Sequence, residues 1–194
     1  MQALTLVVTC RKGGVGKSSV SILLGGELAE RGYKVLLCDC DKQHTASEWA
    51  AAAPDSTPFP AAVISFAAYG AKLHREIEKQ IENYDYIIVD LPPSADAGTV
   101  TQSALLIADL AIVVVTPSAP DVRSSEATKA LIEGAKVFNE ELISVVFANK
   151  VERTVISKKL LKNLSSLGMP RLSATFAPRT AYQVAAFNGT TVTA

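Results

Sequence analysis

Cysteine and histidine are scarce in this chain: three of one and two of the other among 194 residues. Cys10, Cys38 and Cys40 form neither a disulfide framework nor a CxxC pair. An odd number of apolar-flanked thiols points to a reducing compartment, the cytoplasm. Cys38 and Cys40, two apart on an expected strand, read as small core residues rather than a metal site. No apolar run approaches the roughly 18 residues that would suggest a membrane span. The opening "MQALTLVVTC" lacks the charged start of a secretory signal. Formal net charge is zero, so no bulk polyanion or polycation character is imposed.

The zero conceals a gradient. Residues 1–149 hold 12 Lys and Arg against 18 Asp and Glu. Residues 150–194 hold 7 bases (Lys150, Arg153, Lys158, Lys159, Lys162, Arg171 and Arg179) and a single acid, Glu152. Such a basic quarter suits either solvated helix faces or a surface for an anionic polymer.

Apolar runs are present but short. "LTLVV" (4–8), "KVLLC" (34–38), "AAVIS" (61–65), "YIIVD" (86–90), "LAIVVVT" (110–116) and "ISVVFAN" (143–149) are near-continuous Val, Ile and Leu. That is the signature of parallel strands buried on both faces. Helical stretches are expected at 17–31, 43–53, 70–82, 99–107, 121–138 and 154–167, then a strand at 171–175 and a helix at 179–187. The alternation implies an α/β fold: a doubly wound, mainly parallel sheet with helices on both faces. Gly32 is placed to end the first helix. With no repeat or linker, 1–194 reads as a single domain.

"GGVGKS" (13–18) follows the first strand and opens the first helix, the setting of a phosphate-binding loop. Gly13, Gly14, Val15 and Gly16 offer backbone N–H groups to phosphate oxygens, strengthened by the helix N-terminus. Lys17 bridges the terminal phosphates, the Ser18 hydroxyl suits Mg²⁺, and Ser19 completes the cradle. The common pattern G-x-x-x-x-G-K-[ST] has glycine where this chain has Arg11, and Lys12 follows it.

Two strands end in acids. "LLCDCDKQ" (36–43) carries Asp39 and Asp41; "YIIVDLPPS" (86–94) carries Asp90 before two prolines. Carboxylates at strand ends beside a phosphate loop hold metal-bound waters or orient an attacking water. Asn149, ending a later strand, has the donor and acceptor needed to read an adenine edge. Pro178 in "TFAPRT" is expected on the other side of the base. Trp49 reads as a packing residue and His44 as a polar loop residue.

"KGGVGKS" resembles the deviant Walker A motif of the ParA/MinD family of ATPases, and the likeness runs through both acidic strands. The resemblance is nearest to small plasmid-partition ATPases of the ParA type. It implies a P-loop ATPase using ATP and Mg²⁺, with weak intrinsic turnover. Lys12 would reach across a homodimer to the partner's nucleotide. Asp41 would position water, and Ser18, Asp39 and Asp90 would serve the metal, the acids through water; Asp39 and Asp41 could exchange roles. Lys42 departs from the family's proline in this switch. The implied partners are a second copy of the chain, nonspecific DNA and a ParB-like or small ParG-like centromere-binding protein. The implied location is cytoplasmic and nucleoid-associated, with no membrane. The P-loop begins too early in the chain for a helix-turn-helix before it.

Other readings fare less well. A MinD-like membrane ATPase would show a C-terminal amphipathic helix. A nitrogenase-type iron protein would need cysteines after residue 90 for its cluster. A biosynthetic synthetase would not need Lys12, and a scaffold without turnover would not need Asp41.

Overall fold

The computed structural model describes residues 2–93, 98–164 and 168–192. Seven strands form one sheet: β1 Leu4–Thr9, β2 Val35–Asp39, β3 Ala62–Ser65, β4 Tyr86–Asp90, β5 Leu110–Val115, β6 Ile143–Ala148 and β7 Arg171–Thr175. Their order is β3-β2-β4-β1-β5-β6-β7, and every pairing is parallel. All five residues of β2 are buried, as continuous apolar runs require of inner strands. The edge strand β7 is exposed throughout.

Among the described residues six α-helices connect the strands and a seventh follows β7: α1 Lys17–Glu30, α2 Thr45–Ala51, α3 Leu73–Glu78, α4 Gly98–Leu105, α5 Ala119–Ala135, α6 Val155–Leu164 and α7 Thr180–Asn188. One face of the sheet packs Ile22 of α1, Trp49 of α2 and Ala185 of α7 against Val8 and Leu37. The other packs Leu73 of α3, Leu105 of α4, Ile132 of α5 and Leu164 of α6 against Val7 and Val113. The sheet is therefore covered on both faces, which is the doubly wound α/β P-loop fold expected.

The helix expected at 70–82 is broken. Gly70 takes φ +53° and opens a 3₁₀ turn, Gly70–Lys72, before α3 begins. After α3 the chain tightens into i→i+3 turns, Gln80 N–H to Ile77 O and Asn83 N–H to Gln80 O. With only Leu73 and Ile77 of α3 buried, little apolar burial favours a longer helix. Gly32, at φ +92°, donates its N–H to the Ala29 carbonyl after α1, as expected. Ser94 and the 165–167 end of the expected sixth helix lie outside the described residues.

Candidate nucleotide-binding site

β1 and α1 are joined by residues 10–16, and this connection lies at the centre of the sheet. Gly14 and Gly16 take φ +76° and +90°, which side chains with a Cβ seldom adopt. At Gly16 a Cβ would also lie 2.4 Å from Asn149 Nδ2. Two side chains following β6 fasten the loop. Asn149 Nδ2 donates to the Val15 carbonyl and Lys150 Nζ to the Gly14 carbonyl, each at 2.8 Å. Lys150 does so from φ +54°, a left-handed conformation that costs a lysine energy. The sequence reading missed this fastening, because nothing in "FANKVER" says which backbone the Asn and Lys will meet. Pro93, from the second acidic segment, lies against Gly13, 3.7 Å from where a Cβ would sit.

Lys17, at the first position of α1, is buried. Burial lowers its pKa, against the opposing charges of Asp90, Cys10 and Asp41. Asp39 and Asp90 are paired in register at the ends of β2 and β4, and Asp90 also lies opposite Val8 of β1. Both carboxyl groups are fully buried. Both oxygens of Asp39 are engaged by the chain that follows β2. Its Oδ1 accepts from Asp41 N–H at 3.1 Å; its Oδ2 accepts from Ser47 N–H at 2.9 Å and Ser47 Oγ at 2.8 Å. Asp90 Oδ1 accepts from Ser21 Oγ at 3.0 Å, whereas Oδ2 has no hydrogen-bond partner among the described residues. Burial pushes the Asp90 carboxyl up to about 6, assisted by Asp39 and opposed by the Ser18 and Ser21 hydroxyls and Lys17.

A buried carboxylate oxygen without a partner is costly unless a ligand completes it. Beside the Ser18 hydroxyl, Asp90 Oδ2 suits a water on Mg²⁺, an ion that keeps several waters and uses few protein oxygens. Among the described residues no cluster of three or more His, Cys, Asp or Glu could hold an ion alone. The donor set thus fits Mg²⁺ brought with a nucleotide. When bound, the ion would neutralise developing phosphate charge.

A cavity of about 490 Å³ opens beside the loop. Gly16, Ser19, Trp49, Asn149, Pro178 and Arg179 contribute to its wall. Ser19, Asn149 and Pro178 are therefore brought together. Trp49 is buried, with Nε1 donating to Thr190 O at 3.1 Å, so it packs and also faces the cavity. Asp41 is half-buried, and its Oδ1 accepts from Gln43 N–H at 3.0 Å. His44, at φ +52°, sets the turn into α2, with Nδ1 3.3 Å from Ser65 Oγ. The three cysteines are free and buried.

Lys12 stands apart from this pocket. Its ammonium forms an ion pair with Asp121 of α5, although 44% of the lysine side chain is exposed. Burial alone would raise the Asp121 pKa, but bonds from Lys12, Thr116 and Ser118 hold it below the ordinary value. Ser118 and Asp121 are readable in sequence as a helix cap. The proximity of Asp121 to Lys12, 109 residues away, is not.

Residues 6–186 match the family model described as the CobQ/CobB/MinD/ParA nucleotide binding domain. The chain belongs to this ParA/MinD family. It is an ATPase of that family, and among structures of the same fold a Cyanothece McdA is bound to ATP and a cobyrinic acid a,c-diamide synthase of Mycobacterium smegmatis to ADP and magnesium. It is 28% identical to the "Maintenance of carboxysome distribution protein A" of Halothiobacillus neapolitanus, over 98% of this chain and 87% of that one. It is 30% identical to a "Protein ParA" of Rhizobium radiobacter, over 78% of this chain and 64% of that protein. Its fold superimposes on a Cyanothece McdA–ATP complex with a TM-score of 0.83, 17% identity and coverage of 99% and 90% of the two chains.

Proposed function

We propose that this single-domain chain is a ParA-like partition ATPase that cycles between monomer and ATP-sandwich dimer to segregate plasmid or chromosomal DNA. The observation that carries this reading is Lys12. The nucleotide cradle already has a buried lysine of its own, Lys17. A second lysine on the exposed rim is redundant in one chain and useful between two. Lys12 then supplies positive charge in trans to the partner's phosphates, as arginine fingers do. Asp41 orients the attacking water, Asp90 takes the metal-bound water, and Asp39 holds the segment that carries Asp41. The closed dimer binds DNA nonspecifically through phosphate contacts from the C-terminal bases. Arg153, Lys158, Lys159 and Lys162 are all exposed, which supports that use. A ParB-like or small ParG-like centromere-binding protein stimulates hydrolysis and resets the cycle on the nucleoid, in the cytoplasm. Among the described residues no helix is long and apolar enough to cross a membrane.

A second reading keeps the cycle and changes the cargo to a protein body. The near full-length match to a carboxysome distribution protein favours it. Both readings require the same DNA-bound dimer, which fluorescence anisotropy on a random-sequence duplex tests. Binding is expected with ATP and not ADP, and reversal of Lys158, Lys159 and Lys162 to Glu should abolish it at low salt. Absence of ATP-dependent DNA binding at any salt concentration contradicts both.

A further inference from the structure

One wall of the cavity beside the loop is made by α7 and its cap. Arg179, at the cap, lines it together with Tyr182, Gln183 and Ala186 of the helix. Spacings of three and four put these residues on one face. The helix is anchored at both ends. Near its start the Tyr182 ring packs against Phe176 with centroids 5.4 Å apart, and Phe176 meets Phe147 of β6 edge-on at 5.0 Å. Past its end Gly189 lies so close to the chain after α2 that a Cβ would fall 2.0 Å from Ala53 N. Trp49 Nε1 holds the next carbonyl, that of Thr190. Side chains of α7 are thus presented to the cavity from a fixed support.

The phosphate loop grips phosphates and does not distinguish one base from another. Choosing adenine takes a donor and an acceptor side by side. On its N6/N7 edge adenine offers one donor and one acceptor, whereas guanine offers two acceptors, O6 and N7. A carboxamide matches the adenine edge, and the described wall holds two, Asn149 and Gln183. The Asn149 amide is engaged at both ends: Nδ2 donates to Val15 O, and Oδ1 accepts from Lys150 N–H. Arg179 has donors alone and cannot accept from N6. Gln183 is exposed and carries both groups. We propose that Gln183 is the specificity-determining residue of this cavity, its amide accepting from the adenine N6 amine and donating to N7. This needs only that the nucleotide occupies the cavity, and not the dimer cycle proposed above.

Gln183→Met tests the assignment, because it keeps the length of the side chain and removes both hydrogen-bonding groups. Isothermal calorimetry with ADP, GDP and 7-deaza-ADP, in which carbon replaces N7, gives the affinities. Diphosphates keep the chain monomeric in the proposed cycle, so failure of base reading and failure of that cycle are seen separately. Wild type should bind ADP about ten-fold more tightly than either of the other two. Gln183→Met should bind ADP about ten-fold more weakly than wild type and should bind all three alike. Inorganic pyrophosphate should bind wild type and variant equally, since the loop is untouched. A Gln183→Met chain that keeps the preference for ADP overturns the proposal. So does a wild type that accepts 7-deaza-ADP as readily as ADP. Loss of pyrophosphate binding in the variant also overturns it, because the substitution would then have disturbed the whole site. Should the Met chain fail to fold, Gln183→Ala, a good helix former, gives the same comparison.

Discussion

Asp39 and Asp90 lie opposite each other at the ends of adjacent strands, but among the described residues Asp90 Oδ2 has no hydrogen-bond partner while both oxygens of Asp39 have one. Asp39 holds Asp41 and Ser47 with both of its oxygens. Two acids alike in sequence context thus differ: Asp39 ties down the chain that follows β2, and in the proposed function Asp90 receives the metal-bound water.

That difference has a measurable pH signature. The folded Asp90 carboxyl, pushed up to about 6 from 3.8, holds its proton more tightly than the unfolded one. The folded chain therefore binds more protons between those values, and its stability declines as pH rises through that window. Above pH 6 the buried charge costs on the order of 3 kcal/mol, taking ~1.4 kcal/mol per pH unit. Asp90→Asn should raise nucleotide-free stability to urea at pH 7, show no such gain near pH 3.5, and abolish Mg²⁺-dependent hydrolysis. Equal gains at both pH values would contradict the assigned shift.

Asn149 touches the loop with Nδ2, and its Oδ1 accepts from Lys150 N–H at 2.9 Å. If fastening the loop is its main work, Asn149→Ala should weaken ATP and GTP binding alike, by about 5- to 100-fold for a lost bond of ~1–3 kcal/mol. Emission from Trp49, the chain's single tryptophan and part of the cavity wall, provides the titration signal. A loss confined to ATP would instead support reading of the adenine edge.

Asp41 is the half-buried acid of the first segment, and its Oδ1 accepts from Gln43 N–H. Asp41→Ala should reduce single-turnover hydrolysis by about 10²-fold or more, the lower range for a lost general base. The ATP dimer should persist longer. Undiminished hydrolysis would remove Asp41 from the water-positioning role.

Much of this architecture was legible because it rests on local pattern. Unbroken runs such as "YIIVD" can be satisfied only inside a covered sheet, and "GGVGKS" needs glycine where φ is positive. The helix after Gly70 was overextended because sequence does not reveal how little of α3 is buried. The relations of Lys12 to Asp121 and of Asn149 to Val15 join residues more than 100 positions apart. Strand order creates those meetings, and no local spacing encodes them. Likewise the acids of β2 and β4 are visible in the sequence, but which of their oxygens Ser47 and Ser21 engage is not.

The central claim is that Lys12 acts between chains. Light scattering of wild type and Lys12→Ala, with ATP and with ADP, tests it most directly, provided that nucleotide binding is measured on the same samples. The account predicts that ATP doubles the wild-type mass, that ADP does not, and that Lys12→Ala binds ATP yet stays monomeric. A Lys12→Ala chain that doubles its mass with ATP as readily as wild type would contradict it.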